Sequence, residues 1–292
     1  MSKRKKFNRI LLPMLMLAAA GCGKGKINLD NASYDPKITV EGYLYPGQGV
    51  SNIMLMRNFP LGDSLNPDEL YLSPSTNGVS ATINGTALNF DEQRRTYFNN
   101  LLITDYGKAY TLEVHATIDG TPLHLTSTTT TPQKGFSVLS NQIGKFSYGD
   151  SIAIEYLTSP GTGFYSFSIV PDTASTANFI YSNHSFRKKL DSSDVATNLN
   201  QYKYRYGTVD NINSLGGISY TYRINSRNTL FYSTYTVVAY ACDENMKDYI
   251  LTSTNVQEID GNFHEPVETF QGSGIGVFGS AIADTVRFSI VR

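Results

Sequence analysis

The chain has 292 residues and a formal net charge of −1 at pH 7, and it contains 24 Gly, 20 Tyr and 15 Phe but no Trp. This nearly neutral balance argues against nucleic acid as a partner, since phosphate binding needs clustered Lys and Arg. The length allows two ordinary domains. The Gly-, Thr-, Ser- and aromatic-rich composition, with few helix-period stretches, predicts an all-β protein.

The first 22 residues have the pattern of a bacterial lipoprotein signal. Five cations precede an apolar run over residues 10–20, which is about half as long as a membrane-spanning helix. The sequence Ala19–Cys22 resembles a lipobox, in which the Cys22 thiol receives a diacylglyceryl group and cleavage makes Cys22 the new N-terminus. We therefore expect residues 1–21 to be a signal peptide and the lipid on Cys22 to anchor the chain in the membrane. The alternative is an ordinary secretion signal that is cut near Gly21.

The first folded region is predicted to be an Ig-like β-sandwich over residues 36–132, and the polar residues 22–35 before it predict a tether. Strand alternation recurs at short intervals between turn signals, which is typical of a sandwich. Asn84-Gly85 is the strongest short hairpin signal, and strand alternation also flanks Asp119-Gly120. The polar stretch over residues 60–78 predicts a loop.

The second region, residues 133–292, is predicted to be a β-rich domain with one short helix. The stretch TLFYSTYTVVAYAC (229–242) is the most strongly β part of the chain and predicts a central strand. Its last residue, Cys242, is expected to be a buried structural thiol. The helix is predicted over residues 243–256, because acidic residues lead and apolar residues follow at spacings of three to four.

The stretch QYKYRYGTVD (201–210) predicts a strand with Tyr202, Tyr204 and Tyr206 on one face. Such a row is a candidate surface for ligand stacking, because tyrosine combines a flat apolar ring with a polar tip. The alternative is that the three rings pack on the opposite sheet. The absence of Trp from the chain favours this alternative.

The stretch GIGVFG (274–279) has the spelling G-x-G-x-x-G of a dinucleotide-binding loop. That loop needs a following helix and an acidic residue about 20 positions further on. Only 13 residues follow Gly279, and they include the strand-like ADTVRFSIV. We therefore expect no nucleotide and no other cofactor. The glycines are expected to let the backbone bend or pack closely, with Ile275, Val277 and Phe278 buried.

No pattern in the sequence predicts a catalytic or metal site. The histidines are distributed without a pair at metal-ligand spacing: His115, His124, His184 and His264. A zinc site assembled across strands is the alternative. An oxygen-rich cluster lacks the glycine of a Ca²⁺ loop and predicts a charged helix start instead: Asp243, Glu244, Asn245 and Asp248. The chain has no G-x-S-x-G, H-E-x-x-H or Walker sequence, so we expect no catalytic residues and no metal.

Several segments together resemble a family of outer-membrane lipoproteins from Bacteroidota, the domain of unknown function 4249. These segments are the lipobox at Cys22, ITVEGYL (38–44), GKAYTLEVHA (107–116) and NFHEPVETFQGSGIGVFGSA (262–281). The resemblance implies a lipoprotein that accompanies a TonB-dependent outer-membrane transporter, and it carries over no catalytic residues. Related export systems place lipoproteins on the cell surface when acidic residues follow the cysteine. Here residues 23–26 are Gly-Lys-Gly-Lys, and the periplasmic and surface-facing sides both stay open.

Two functional hypotheses follow from these observations. The first is a non-enzymatic, lipid-anchored protein of the outer membrane that binds a partner protein or a nutrient ligand beside a transporter. The second is a glycan-acting hydrolase or carbohydrate-binding surface lipoprotein. Two carboxylates about 5–9.5 Å apart in a sugar-sized cleft would favour hydrolysis. A purely structural envelope component is a third alternative.

Overall fold

A computed structural model describes residues 34–60, 66–182, 190–213, 215–253 and 266–292. The signal peptide, Cys22 and nearly all of the tether lie outside the described residues, as do His184 and His264. The described part is mostly β-strand, which confirms the predicted all-β class. Within it there is no helix that is long and apolar enough to cross a membrane.

The first region is a sandwich of two sheets. One layer contains β1 (Ile38–Leu44), β2 (Gly49–Arg57), β6 (Thr96–Ile103) and β5 (Asn89–Asp91), in that order. The other contains β16 (Phe270–Gly272), β8 (Thr121–Thr130), β7 (Ala109–Ile118), β3 (Ser80–Ile83) and β4 (Thr86–Ala87). Buried and exposed residues alternate along β7, because one face of this sheet covers the core and the other faces water. The core between the layers is mainly aliphatic and includes Val40, Leu55, Leu112 and Leu125.

The second region packs a further pair of sheets around an aromatic core. One layer contains β13 (Arg205–Val209), β12 (Phe164–Pro171), β15 (Thr234–Cys242), β17 (Gly274–Val291) and β10 (Gln142–Ser147). The other contains β14 (Ser219–Asn225), β11 (Ser151–Leu157) and β9 (Ser137–Val138). Strand β15 lies between β12 and β17, which confirms the predicted central strand. Tyr156, Tyr165, Phe167, Tyr235 and Phe288 are fully buried here.

Strand β17 belongs to both regions. Its first half pairs in parallel with β1, from Gly274 opposite Ile38 to Ser280 opposite Leu44. Its second half pairs with β15 and β10, so a nine-stranded sheet runs through both cores. Residues before the predicted boundary at residue 132 supply most of the first core, but Phe278 of β17 also belongs to it. The described residues within 36–59 and 63–292 form one compact unit.

The helices of the described residues are short. The predicted helix is confirmed as α5 (Glu244–Ser253). Four further helices were not predicted: α1 (Pro67–Leu70), α2 (Pro74–Asn77), α3 (Ser192–Thr197) and α4 (Leu199–Lys203). The first two replace part of the predicted loop over residues 60–78. Each begins with a proline after a side-chain cap, Asn66 or Ser73, which is a favoured start for a helix.

The GIGVFG stretch is the beginning of β17 and continues as a strand. Gly276 has a φ of +103°, and a side chain there would collide with the carbonyl oxygen of Val40 on β1. Val277 and Phe278 are buried as predicted, whereas Ile275 is only half-buried. The glycine therefore serves close packing of two strands, and no helix follows to receive a pyrophosphate.

Candidate functional site

Three side chains that can ligate a metal meet on the outer face of the β7–β8 hairpin. In this His/Glu cluster (Glu113, His115 and His124), Nε2 of His115 lies 3.3 Å and Nε2 of His124 lies 3.2 Å from Oε1 of Glu113. The two imidazole rings stack with their centroids 4.4 Å apart. The ligand atoms of all three residues lie within 4.8 Å of one another. Spacing along the sequence does not reveal this group, which is assembled across two strands.

The hairpin turn explains how the cluster forms. Asp119 and Gly120 have φ values of 51° and 78°, and positive φ at both central residues is the mark of a two-residue type I′ turn. This turn pairs Ile118 with Thr121 and, three residues further along, His115 with His124. Counting outward from the Asp-Gly turn in the sequence would have paired these two histidines. Spacing along the sequence does not show this pair, because the two histidines belong to different strands.

The cluster is open to water, and both of its imidazoles face the carboxylate of Glu113. The side chains of His115, His124 and Glu113 are 57%, 49% and 48% exposed. Hydrogen bonds from His115 and His124 lower the pKa of the Glu113 carboxyl below its usual value, because they favour the charged form. Glu113 is therefore a carboxylate at neutral pH, with two imidazoles directed at one of its oxygens.

A second candidate site is a groove of about 340 Å³ in the second region, which we call the arginine groove. It lies where β13 of one sheet approaches β14 of the other, and the helical turn Ser226–Asn228 contributes to its wall. Its polar and aromatic lining includes Arg205, Arg223, Arg227, Tyr206 and Tyr222. The described lining contains no Asp or Glu, so the groove is positively charged.

Arg205 is the half-buried cation of this groove. Its Nη1 donates to the carbonyl oxygens of Tyr204 at 3.0 Å and Gln201 at 3.3 Å, and its Nε donates to that of Asn228 at 3.4 Å. Desolvation by burial lowers the pKa of the Arg205 guanidinium, although an arginine stays charged in proteins. Among the described residues, no carboxylate forms an ion pair with Arg205. In the described part of the chain, three carbonyl dipoles compensate its charge.

The three tyrosines proposed for ligand stacking do not share one face. Tyr202 belongs to α4 and packs on Phe179, with ring centroids 5.6 Å apart. Tyr204 ends that helix and is 44% exposed, while Tyr206 on β13 is 72% exposed. The prediction of one strand is wrong because Leu199 and Tyr202, three residues apart, pack together on the second core as a helical pair. Only Tyr206 among the three lines the arginine groove.

The polar residues around α5 have structural roles. The partly buried carboxylate of Asp243 accepts hydrogen bonds from the backbone N–H of Met246 and of Ser280, both at 3.0 Å, and from the Thr129 hydroxyl. Asp243 thus caps α5 and links it to β17 and β8, which agrees with the predicted charged helix start. Burial raises the pKa of the neighbouring Cys242 thiol. Cys242 is therefore an unreactive core residue, as predicted.

A polar cleft of about 450 Å³ lies beside α1 and α2. Its lining includes two aromatic and four acidic residues: Tyr71, Phe90, Asp68, Glu69, Glu92 and Asp119. Two of these carboxylates are held in ion pairs, Asp119 with Arg57, and Asp68 with Arg95 at 3.1 Å. The cleft therefore combines two aromatic rings with two acids that have arginine partners and two, Glu69 and Glu92, that lie outside these ion pairs.

Comparisons with known proteins leave the family open. No family model matches the chain, and no curated protein matches it. Among solved structures, the chain is similar to the native conformation of E. coli alpha-2-macroglobulin, with 10% sequence identity and a TM-score of 0.24. The alignment covers 86% of this chain but only 14% of the alpha-2-macroglobulin chain. A similarity this low supports no conclusion about function.

Proposed function

We propose that the chain is a lipid-anchored protein of the outer membrane that binds a ligand or a partner protein and has no enzymatic activity. The lipobox at Cys22 supports the anchor. On this proposal residues 1–21 are removed, and residues 22–35 tether the β-sandwich body to the acylated N-terminus. The family resemblance supports a place beside a TonB-dependent transporter, on either side of the membrane.

The arginine groove is the observation that carries the binding part of the proposal. Arginine side chains recognise carboxylates and phosphates through paired, charge-assisted hydrogen bonds. Arg205 is held in place by three carbonyl oxygens, so little side-chain freedom is lost when an anion binds. The exposed ring of Tyr206 offers a flat apolar surface at the same groove. This combination suits a small acidic ligand with a flat apolar face, such as a uronic-acid sugar.

Titration of the purified lipidated chain in detergent with a uronic-acid oligosaccharide tests the groove. We expect Arg223→Ala to weaken binding by about ten- to a hundredfold, because a hydrogen bond to a charged group contributes about 1.5–3 kcal/mol. Tyr206→Ala should weaken binding by a smaller factor. Arg94→Ala is the matched control, since it removes an exposed arginine outside the groove. Equal affinities for the wild type, Arg223→Ala and Arg94→Ala would contradict the proposal that the arginine groove binds this ligand.

The transporter partnership has its own test. Chemical crosslinking in intact cells, followed by purification of the chain from membranes, should recover an outer-membrane transporter. The matched control is the Cys22→Ser variant, which we expect to lose this partner because it loses its place at the membrane. Recovery of the wild-type chain without any transporter would contradict the partnership and leave ligand binding to be judged by the titration.

The second candidate is a glycan-acting hydrolase or carbohydrate-binding lipoprotein, and the polar cleft favours it. Tyr71 and Phe90 provide rings, and Glu69 and Glu92 provide carboxylates outside the two arginine ion pairs. Release of reducing sugar from a polysaccharide, and its loss in Glu92→Gln, would support hydrolysis. Binding of the polysaccharide without release would support the carbohydrate-binding form of this candidate.

A further inference from the structure

Two of the three spacings between ligand atoms in the His/Glu cluster match the coordination shell of a metal ion. In a tetrahedral zinc site the ligand atoms lie about 2.0–2.2 Å from the metal, which places neighbouring ligand atoms about 3.3–3.5 Å apart. The two imidazole nitrogens lie 3.3 and 3.2 Å from Oε1 of Glu113. An ion can therefore take the place of the two hydrogen-bonded protons when the stacked imidazole rings turn so that both Nε2 atoms face it.

We propose that Glu113, His115 and His124 bind one divalent transition-metal ion and leave a further coordination position open to water. This proposal is independent of the ligand-binding function argued above. Imidazole nitrogen is a ligand that zinc, nickel and copper favour, whereas Mg²⁺ and Ca²⁺ take oxygen ligands. A set of two histidines and one carboxylate accordingly selects a transition metal, and zinc is its simplest probe.

The backbone holds the two histidines in a fixed relation. The carbonyl oxygen of His124 accepts a hydrogen bond from the N–H of Ser273 at 2.9 Å, so it points away from β7 and toward the neighbouring chain segment. His115 and His124 are thus a non-hydrogen-bonded pair of the hairpin, the type whose side chains stand closer together. The opposite face of the hairpin is packed into the first core through Val114 and Leu125. Ligands on such strands are positioned before the metal binds.

Thr82 supplies a feature that the hairpin alone does not explain. It lies directly opposite Glu113 on β3, on the face that carries the cluster. Its Oγ1 is shielded from water and makes no hydrogen bond. A buried hydroxyl without a partner is uncommon. Donation from Thr82 to the second oxygen of Glu113 would orient the carboxylate, which is the usual role of a residue behind a metal ligand.

The exposure of the cluster determines what the site can do. Each of the three side chains is about half exposed, so the metal faces water. Three protein ligands with a free position are the arrangement of an open zinc site, whereas structural zinc sites have four protein ligands. The open position can accept water, a donor atom of a small molecule or a side chain of a second protein.

Zinc titration of the whole chain, purified without a polyhistidine tag and treated with chelator, tests the proposal. We expect one Zn²⁺ per chain, and a tenfold or greater loss of affinity, about the effect of removing a ligand or its support, in His115→Ala, His124→Ala and Glu113→Gln. Thr82→Val should weaken binding by about tenfold while leaving the stoichiometry unchanged. These side chains lie on the outer face of the sheet, so circular dichroism should show the fold unchanged.

The His184→Ala/His264→Ala variant is the matched control, because it removes two histidines elsewhere in the sequence. It should bind Zn²⁺ like the wild type. Cobalt titration gives a second readout, since Co²⁺ bound in a tetrahedral site should show visible absorption that the His115→Ala/His124→Ala variant lacks. Failure of the wild type to bind one equivalent of Zn²⁺ would overturn the proposal. Binding that survives the loss of both His115 and His124 would overturn it equally.

Discussion

The two regions of the molecule differ in the residue types of their cores and in how the candidate site on each core is assembled. The first core is mainly aliphatic, and its residues alternate along regular strands. Its hairpin presents the His/Glu cluster at positions that strand register alone determines. The second core is rich in Tyr and Phe, and the arginine groove on it is assembled from β13, β14 and a helical turn. Register positions the first site, whereas the packing of separate segments positions the second.

The largest effect should come from the aromatic core. Phe167 is fully buried and stacks on Tyr222 with ring centroids 3.9 Å apart, so Phe167→Ala should lower the free energy of unfolding by about 3–5 kcal/mol. The exposed Tyr206 is the control, and Tyr206→Ala should change stability by less than about 0.5 kcal/mol. Urea denaturation measures both. Similar losses for the two variants would mean that the aromatic cluster does not stabilise the second region.

The strand that joins the two regions should be the next most sensitive. Gly276→Ala places a methyl group against the carbonyl oxygen of Val40 at a φ of +103°, and we expect a loss of about 2–3 kcal/mol in unfolding free energy. Gly144 has a φ of +105° with nothing within 4 Å of the added carbon. Gly144→Ala therefore isolates the cost of the backbone conformation and should lose less. If the two variants are equally unstable, close packing of β17 on β1 is not the reason for the glycine.

The buried Tyr235 hydroxyl tests whether polar contacts also stabilise the aromatic second core. The Tyr235 hydroxyl accepts from the N–H of Phe231 at 2.9 Å and donates to the carbonyl oxygen of the same residue at 3.0 Å. Tyr235→Phe should cost about 1–3 kcal/mol, because both backbone groups are then buried without partners. Thermal unfolding of the variant measures this loss. An unchanged unfolding temperature would show that another group or water satisfies Phe231.

The smallest effect concerns Asp243 and depends on pH. Burial raises the pKa of its carboxyl in the folded protein. The stability from this group is therefore fully present below the unfolded pKa of about 3.9 and is lost as pH rises through the folded value. Asp243→Asn keeps a good helix cap but does not titrate. The stability advantage of the wild type over the variant should thus shrink as pH rises from the unfolded pKa through the folded pKa, and an advantage that grows with pH would contradict this account.

The sequence was most informative where structure is local and periodic. Alternating apolar residues located β7 and β15, and the Asp119-Gly120 pair identified the hairpin between β7 and β8. The same turn also fixes the pairing of His115 with His124. Finding that pair requires counting residues outward from the turn along both strands. The error at Tyr202 had a different origin. Its alternation with Lys203 fitted a strand, while the contact that makes α4 a helix is with the second core.

The arginine groove could not be predicted from the sequence. Arg205 and Arg223 lie on strands of different sheets, and no turn or register connects them. Their proximity depends on how the two layers pack. One contact of this packing is the Tyr222 hydroxyl, which occupies the space that a side chain at position 207 would fill. The shielded hydroxyl of Thr82 is likewise a property of the folded sheet. Features of this kind arise from tertiary packing, which a single sequence does not display.

The most direct test of the central claim, a β-sandwich body held at the membrane by lipid, is mass spectrometry of the N-terminal peptide from protein purified from native membranes. The account predicts that the mature chain begins at Cys22 and that this residue carries acyl chains. Cys22→Ser should lose fatty-acid labelling and membrane retention, whereas Cys242→Ala, which removes the other cysteine of the chain, should keep both. An unmodified Cys22 thiol, or a mature chain that begins at a different residue, would contradict the account.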